Sequence, residues 1–244
     1  MTSIIIKNPS GERIDLAFHP GGRKDALVIL GHGLTGNKDR PLLVALAQGL
    51  SARGWPCMRI SFSGNGDSQG RFEDATITKE TGDLKAVLDA VPDYVRVAYA
   101  GHSMGSAVGV LTAARDLRIS ALVSLAGMTR CADFVGREFG GLTPGRDVIW
   151  DEEEFPLSER FVADMQAIGD ILPVATKITQ PWLLIHGGAD DLVPVQDGRD
   201  AHAAAVCSKQ WLELDGADHS FGEDDYPKII DAMDAWFSEH FGPA

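Results

Sequence analysis

An α/β architecture, a mostly parallel eight-stranded sheet with helices on both faces, is predicted by two features of the 244-residue sequence. Short apolar, β-branched runs alternate with stretches of helical period, the pattern of strands joined by crossover helices. Several of these runs also end in glycine-bearing turns, where strands give way to helices.

The elements follow in order. Residues 2–7 and 13–19 flank the turn Asn8-Pro9-Ser10-Gly11 and read as a hairpin. Residues 26–30 are wholly apolar and end in Gly31-His32-Gly33, as a strand buried on both faces should. Helical period follows over 41–53, with Leu42, Leu43, Leu46 and Leu50 on one stripe and Gly54 as the stop. A strand at 57–62 leads to a glycine-rich loop, and 77–91 reads as a helix closed by Pro92. A strand at 94–100 runs into Gly101-His102-Ser103-Met104-Gly105 and a helix to about residue 115. Strands at 121–126, 182–186 and 210–214 and a helix over 226–240 complete the pattern.

Residues 127–178 break it, with no strand-like run but with Phe134, Phe139, Trp150 and four consecutive acidic residues at 151–154. A structureless loop of that length is uncommon in a compact domain. The expectation is one domain over 1–244 whose 127–178 insertion forms a small helical cap over the strands' C-terminal edge. Trp150 and Phe139 are its expected contributions to a substrate pocket.

A net charge of −13 disfavours nucleic acid and anionic membrane as partners, since both repel an acidic surface. Cys57, Cys131 and Cys207 are too few and too scattered for a disulfide framework and read as reduced thiols of a cytoplasmic protein. Neither a secretory signal nor a run of ~20 apolar residues is visible.

Gly101-His102-Ser103-Met104-Gly105 fits the pattern G-x-S-x-G between a strand and a helix. In that context the serine sits on a strained turn that lifts its hydroxyl to the sheet edge, at a helix N-terminus. Acyl transfer also needs N–H donors for the developing oxyanion, and the backbone N–H groups of Met104 and Leu34 are the candidates. His32, in the same early loop as Leu34, reads as a brace for that loop rather than as a base.

A serine needs an imidazole to take its proton. His219, in the loop after the last strand, belongs at the same sheet edge as Ser103. The orienting acid should lie between them in sequence, and Asp190 and Asp191 both follow the penultimate strand.

The set GHGLTGN (31–37), SFSGNGDSQGRFED (61–74), GHSMG (101–105), HGGADDLVP (186–194) and DGADHSF (215–221) resembles the α/β-hydrolase superfamily over nearly the whole chain. Within it the sequence resembles small bacterial carboxylesterases, including cinnamoyl and feruloyl esterases, and lysophospholipase-like and serine-peptidase-like hydrolases. The resemblance implies a triad of Ser103, Asp190 and His219, with the pattern H-G-x-x-D-x-x-V-P favouring Asp190 over Asp191. It implies an ester substrate of small size and no cofactor, and no metal-ligand pattern stands in the sequence. The chain departs from many cinnamoyl esterases in carrying Met104 where they have glutamine. An acyltransferase, thioesterase or peptidase would use the same triad, and a binding scaffold would need none of it.

Overall fold

The computed structural model describes residues 5–242. Its strands are β1 (Ile6–Lys7), β2 (Arg13–His19), β3 (Ala26–Gly31), β4 (Cys57–Ser61), β5 (Arg96–His102), β6 (Ile119–Leu125), β7 (Trp182–Gly187) and β8 (Lys209–Leu214). They form one eight-stranded sheet in the order β1-β2-β4-β3-β5-β6-β7-β8. β2 pairs antiparallel with β1 and β4, and the remaining pairings are parallel. The hairpin expected from residues 2–7 and 13–19 is present from Ile6 onward, and residues 2–4 lie outside the described residues.

Alternation along the central strands explains the two cores. Successive side chains of a strand point to opposite faces. Leu27 and Ile29 of β3 therefore join one apolar cluster, while Val28 and Leu30 join the other. The second cluster is closed by α1 (Pro41–Ala52) and α8 (Tyr226–Phe241), whose Leu43, Leu46 and Leu50 share it with Ile229, Met233 and Phe237. The first is closed by α2 (Ile77–Asp89) and α3 (Met104–Ala113). Helices on both faces leave the central strands β3, β5, β6 and β7 almost wholly buried, as the apolar runs require.

β5 lies two residues later than the sequence predicts. Residues 92–95 form a turn in which Val95 N–H donates to the Pro92 carbonyl (2.9 Å), leaving Tyr94 exposed. At the other end Gly101 and His102 stay in the ladder opposite Ser124 and Leu125. The strand thus runs up to the serine itself.

Residues 127–178 hold α4 (Cys131–Phe139), α5 (Glu159–Ile168) and α6 (Leu172–Ala175), with no strand among them. Phe134, Phe139, Phe161 and Met165 bury into the first cluster. Asp197, near the start of α7 (Val195–Ala204), anchors the segment by accepting from the N–H groups of Thr129 (3.0 Å) and Arg130 (3.2 Å) and from the Arg130 guanidinium (2.7 Å).

Two acids are buried on α2. Asp83 accepts from Asn8 Nδ2 (2.7 Å) and Ser63 N–H (2.7 Å), whereas neither carboxyl oxygen of Glu80 has a hydrogen-bond partner among the described residues. Burial first, then the charges of Asp83 and Asp164, raises the Glu80 pKa well above the usual carboxylate range. The unfolded chain binds fewer protons at this site once pH exceeds the ordinary glutamate value. Stability is therefore lost as pH rises toward the raised folded value, by up to about 1.4 kcal/mol per pH unit for one proton. Glu80→Gln should remove that slope, so its stability relative to wild type should be greater at pH 8 than at pH 4. Urea midpoints at the two pH values measure this, and an equal difference at both would contradict it.

Candidate active site

The strand order places the site. β3 lies between β4 and β5, and the helices after β3 and β5 leave toward opposite faces of the sheet. Such a switch point opens a crevice beyond the strands' carboxyl ends. The loops after β3, β5, β7 and β8 meet there.

Ser103 joins β5 to α3 with φ 55° and ψ −119°, in a region that L residues with side chains rarely adopt. Such backbone costs on the order of 1–3 kcal/mol and persists only where its surroundings enforce it. Here Ser103 N–H donates to the Leu125 carbonyl (2.9 Å), while its own carbonyl accepts from Ser106 N–H (3.0 Å). A Cβ at Gly105 would stand 2.4 Å from the His32 carbonyl oxygen, so only glycine lets α3 pack this close to the β3 loop.

His32 braces that loop from below. Phe62 N–H donates to its Nε2 (2.9 Å), so its Nδ1–H donates to the Gly33 carbonyl (2.8 Å). Burial, opposed by the Gly33 hydrogen bond and aided by the charge of Arg40, lowers its pKa to about 4 and keeps it neutral. Gly36 N–H closes a tight turn onto the Gly33 carbonyl (3.0 Å), across Leu34 and Thr35. Leu34 lines the crevice, and Met104 is the first residue of α3. No acceptor holds the N–H of either among the described residues.

Asp190 and His219 come together on adjacent loops. His219 Nδ1–H donates to Asp190 Oδ2 (2.8 Å), which leaves Nε2 as the ring nitrogen available to the crevice. Asp190 Oδ1 accepts from the N–H groups of Leu192 (3.0 Å) and Val193 (2.8 Å). His186 Nε2 lies 3.2 Å from Asp190 Oδ2 and 3.0 Å from the Val193 carbonyl. Burial of the Asp190 carboxyl opposes its ionisation. The hydrogen bonds from His186 and His219, the charge of His219 and the Val193 N–H outweigh it and hold the pKa below the usual range. Asp191, the other candidate acid, is exposed. It stands before α7, which begins at Val195 with Pro194 as its N-cap.

Two further groups fix the His219 loop. A Cβ on Gly187 would meet the carbonyl oxygens of Ala217 (2.4 Å) and Asp218 (2.6 Å), so the loop lies directly on the end of β7. His102 Nε2–H donates to the His219 carbonyl (2.9 Å) with the two rings 4.9 Å apart. Burial, then the charge of His219, lowers the His102 pKa to about 3, so it remains neutral.

Ser103 and His219 share the wall of one cavity of about 330 Å³, with Leu34, Phe134, Trp150 and Leu192 among its apolar lining and Arg40 and Tyr226 among its polar lining. Of the two aromatics expected at a substrate pocket, Trp150 lines this cavity. Phe139 is not: it is 3% exposed, packs at 5.8 Å from the Trp150 ring and 5.9 Å from Phe134, and does not line the cavity. It lies on the buried stripe of α4, whereas Phe134 reaches both the core and the cavity. Sequence reasoning also passed over His186, four residues before Asp190, and Arg40. The latter's signal was a basic residue next to the Leu34 loop in a chain short of basic residues.

The family profile described as alpha/beta hydrolase fold matches residues 26–146. An uncharacterized protein of Mycobacterium tuberculosis is 27% identical over 221 residues, covering 89% of this chain and 72% of that protein. Among solved structures, Est1E from Butyrivibrio proteoclasticus with bound ferulic acid superposes with a TM-score of 0.85 at 23% identity, over 99% of this chain and 100% of that one. The esterase domain of a Rhodothermus marinus protein gives a TM-score of 0.77 at 21% identity, over 98% of both chains. The chain is therefore built on the α/β-hydrolase fold.

Proposed function

We propose that the protein is a serine hydrolase of small carboxylic esters, working through an acyl-enzyme on Ser103 with His219 as base and Asp190 as orienting acid. The observation that carries this reading is the Asp190–His219 hydrogen bond (2.8 Å) at a cavity whose wall also holds Ser103 on its positive-φ turn.

Ser103 Oγ attacks the ester carbonyl carbon as His219 Nε2 takes the hydroxyl proton. The carbonyl oxygen becomes an oxyanion, received by the N–H groups of Leu34 and Met104. The tetrahedral intermediate collapses, the C–O bond to the alcohol breaks, and the imidazolium returns its proton to the leaving alkoxide. Water then attacks acyl-Ser103 in the same sequence, releasing the acid and restoring the serine. Asp190 stays ionised throughout, holding His219 in the tautomer with a free Nε2. Residues 127–178 act as the cap that closes the acyl pocket, and the free thiols Cys57, Cys131 and Cys207 fit a cytoplasmic setting. Among the described residues no helix is long and apolar enough to cross a membrane.

A fluorophosphonate probe should label the protein once, at Ser103, and abolish turnover of p-nitrophenyl esters; labelling at another residue overturns the reading. The ferulic acid in the Est1E structure makes an aromatic acyl ester worth including beside short and long aliphatic ones. Trp150 lines the cavity while 38% exposed, so Trp150→Ala should alter selectivity more than stability. One methylene in an apolar pocket is worth roughly 1–3 kcal/mol, so kcat/KM ratios across acyl groups should move by about tenfold or more. Phe139→Ala should instead cost about 3–5 kcal/mol of stability and leave the ratios within a few-fold, as a buried aromatic behind the wall would. Kinetics across the ester panel with urea melts separate the two.

A further inference from the structure

The charge around the candidate cavity is unevenly placed. The chain carries 35 acidic and 22 basic residues, yet no carboxylate lines the cavity and Arg40 does. Its neighbours are neutralised: Lys38 pairs with Asp15 (3.0 Å) and Asp39 (2.6 Å), and Arg59 with Asp39 (2.9 Å). Among the described residues no carboxylate pairs with Arg40, whose Nη2 donates to the Thr35 carbonyl (3.1 Å) and hydroxyl (3.5 Å) in the Leu34 loop. One edge of the guanidinium is thereby fixed against that loop. Its field reaches inward as well: after burial, the charge of Arg40 is among the causes that lower the His32 and His102 pKa values. Beyond His219 and Trp150, the cavity continues into a shallow depression that carries Asp191 and Asp218.

We infer that Arg40 is a specificity residue that receives an ionised carboxylate carried by the ester substrate. The inference rests on the serine-esterase reading above and adds the substrate class to it: esters bearing a second, anionic group. An Arg–carboxylate contact is charge-assisted and can be bidentate. Asp191 and Asp218, in the depression beside His219, repel the same group and so disfavour an orientation that would place it there. A guanidinium with no carboxylate partner among the described residues, held by Thr35 beside the loop that offers the Leu34 N–H, is poised for this task. A neutral ester leaves it facing solvent.

Matched ester pairs test the assignment. The p-nitrophenyl monoester of adipic acid against p-nitrophenyl hexanoate places the charge in the acyl half. 4-(Carboxymethyl)phenyl acetate against 4-ethylphenyl acetate places it in the alcohol half. A hydrogen bond to a charged group is worth roughly a power of ten in binding. The wild type should therefore favour the anionic member by about tenfold in kcat/KM in at least one pair, which identifies the half that Arg40 contacts. Arg40→Gln should cut that ratio about tenfold, and Arg40→Lys should restore part of it. Equal rates within both pairs, or a preference that Arg40→Gln leaves intact, overturns the role of Arg40 while the esterase reading stands. Failure to hydrolyse any of the four esters, with no fluorophosphonate label on Ser103, overturns both.

Discussion

Ser103→Ala should lower kcat for ester hydrolysis by on the order of 10⁶, the scale of losing the nucleophile of such a triad. The substitution removes one oxygen and nothing that holds the fold. The backbone bonds at this turn, Ser103 N–H to the Leu125 carbonyl and Ser106 N–H to the Ser103 carbonyl, are available to alanine unchanged. The positive φ is equally unfavourable for both residues, so the strain is not altered. Circular dichroism and the urea midpoint should match wild type, while the fluorophosphonate label disappears. A residual rate of roughly 10³–10⁴ over water should survive from binding and the oxyanion donors. A variant that keeps more than about a hundredth of wild-type kcat would place the nucleophile elsewhere.

The centre of the sheet was legible in the sequence because its strands are buried on both faces and so read as continuous apolar runs. Residues 26–30 and 182–186 are examples, and both lie in the observed β3 and β7. The start of β5 was misread because Tyr94, a good strand former, sits in a turn governed by Pro92. Long-range pairing opposite β6, which a local reading cannot see, then carries the strand on to His102. The site divides similarly. Ser103, His219 and Asp190 stood out because each chemistry-bearing residue falls on a loop after a strand, and parallel strands bring those loops to one edge.

The walls of the cavity were less so. Phe134 and Phe139 are five residues apart on α4, and composition alone does not say which of two aromatic faces turns to the crevice. His102 and His186 stand inside the motifs GHSMG and HGGADDLVP without a role that the motif alone assigns. Their partners, the His219 carbonyl and Asp190, exist only once separate loops meet. Arg40 is 63 residues from Ser103 in sequence and shares a cavity with it because β3 and β5 are neighbours.

The adjacent aspartates should separate by about three powers of ten or more. Asp190→Asn is expected to lower kcat by about 10⁴, the scale known for replacing the orienting acid of such a triad. The side-chain shape is kept, and its oxygen can still accept from the N–H groups of Leu192 and Val193. The amide nitrogen then takes the position of Oδ2, 2.8 Å from His219 Nδ1, and can only donate. His219 must accept at Nδ1, which puts its proton on Nε2, the nitrogen that has to take the proton of Ser103. The same change removes the charge facing His219 and the acceptor near His186. A carboxylate with a depressed pKa contributes stability above the ordinary aspartate range, lost only as pH falls through the folded value. The asparagine variant lacks that contribution, so it should also melt earlier than wild type at neutral pH, with the difference shrinking below about pH 4. Asp191 is exposed and has no part in these bonds, so Asp191→Asn should keep kcat within roughly tenfold of wild type, with an unchanged melting temperature. Single-turnover and steady-state kinetics on both variants, with melting curves at pH 4 and pH 7, decide between them. The reverse ranking would move the orienting acid to Asp191. Two fully active variants would leave the 2.8 Å bond to His219 without a catalytic role.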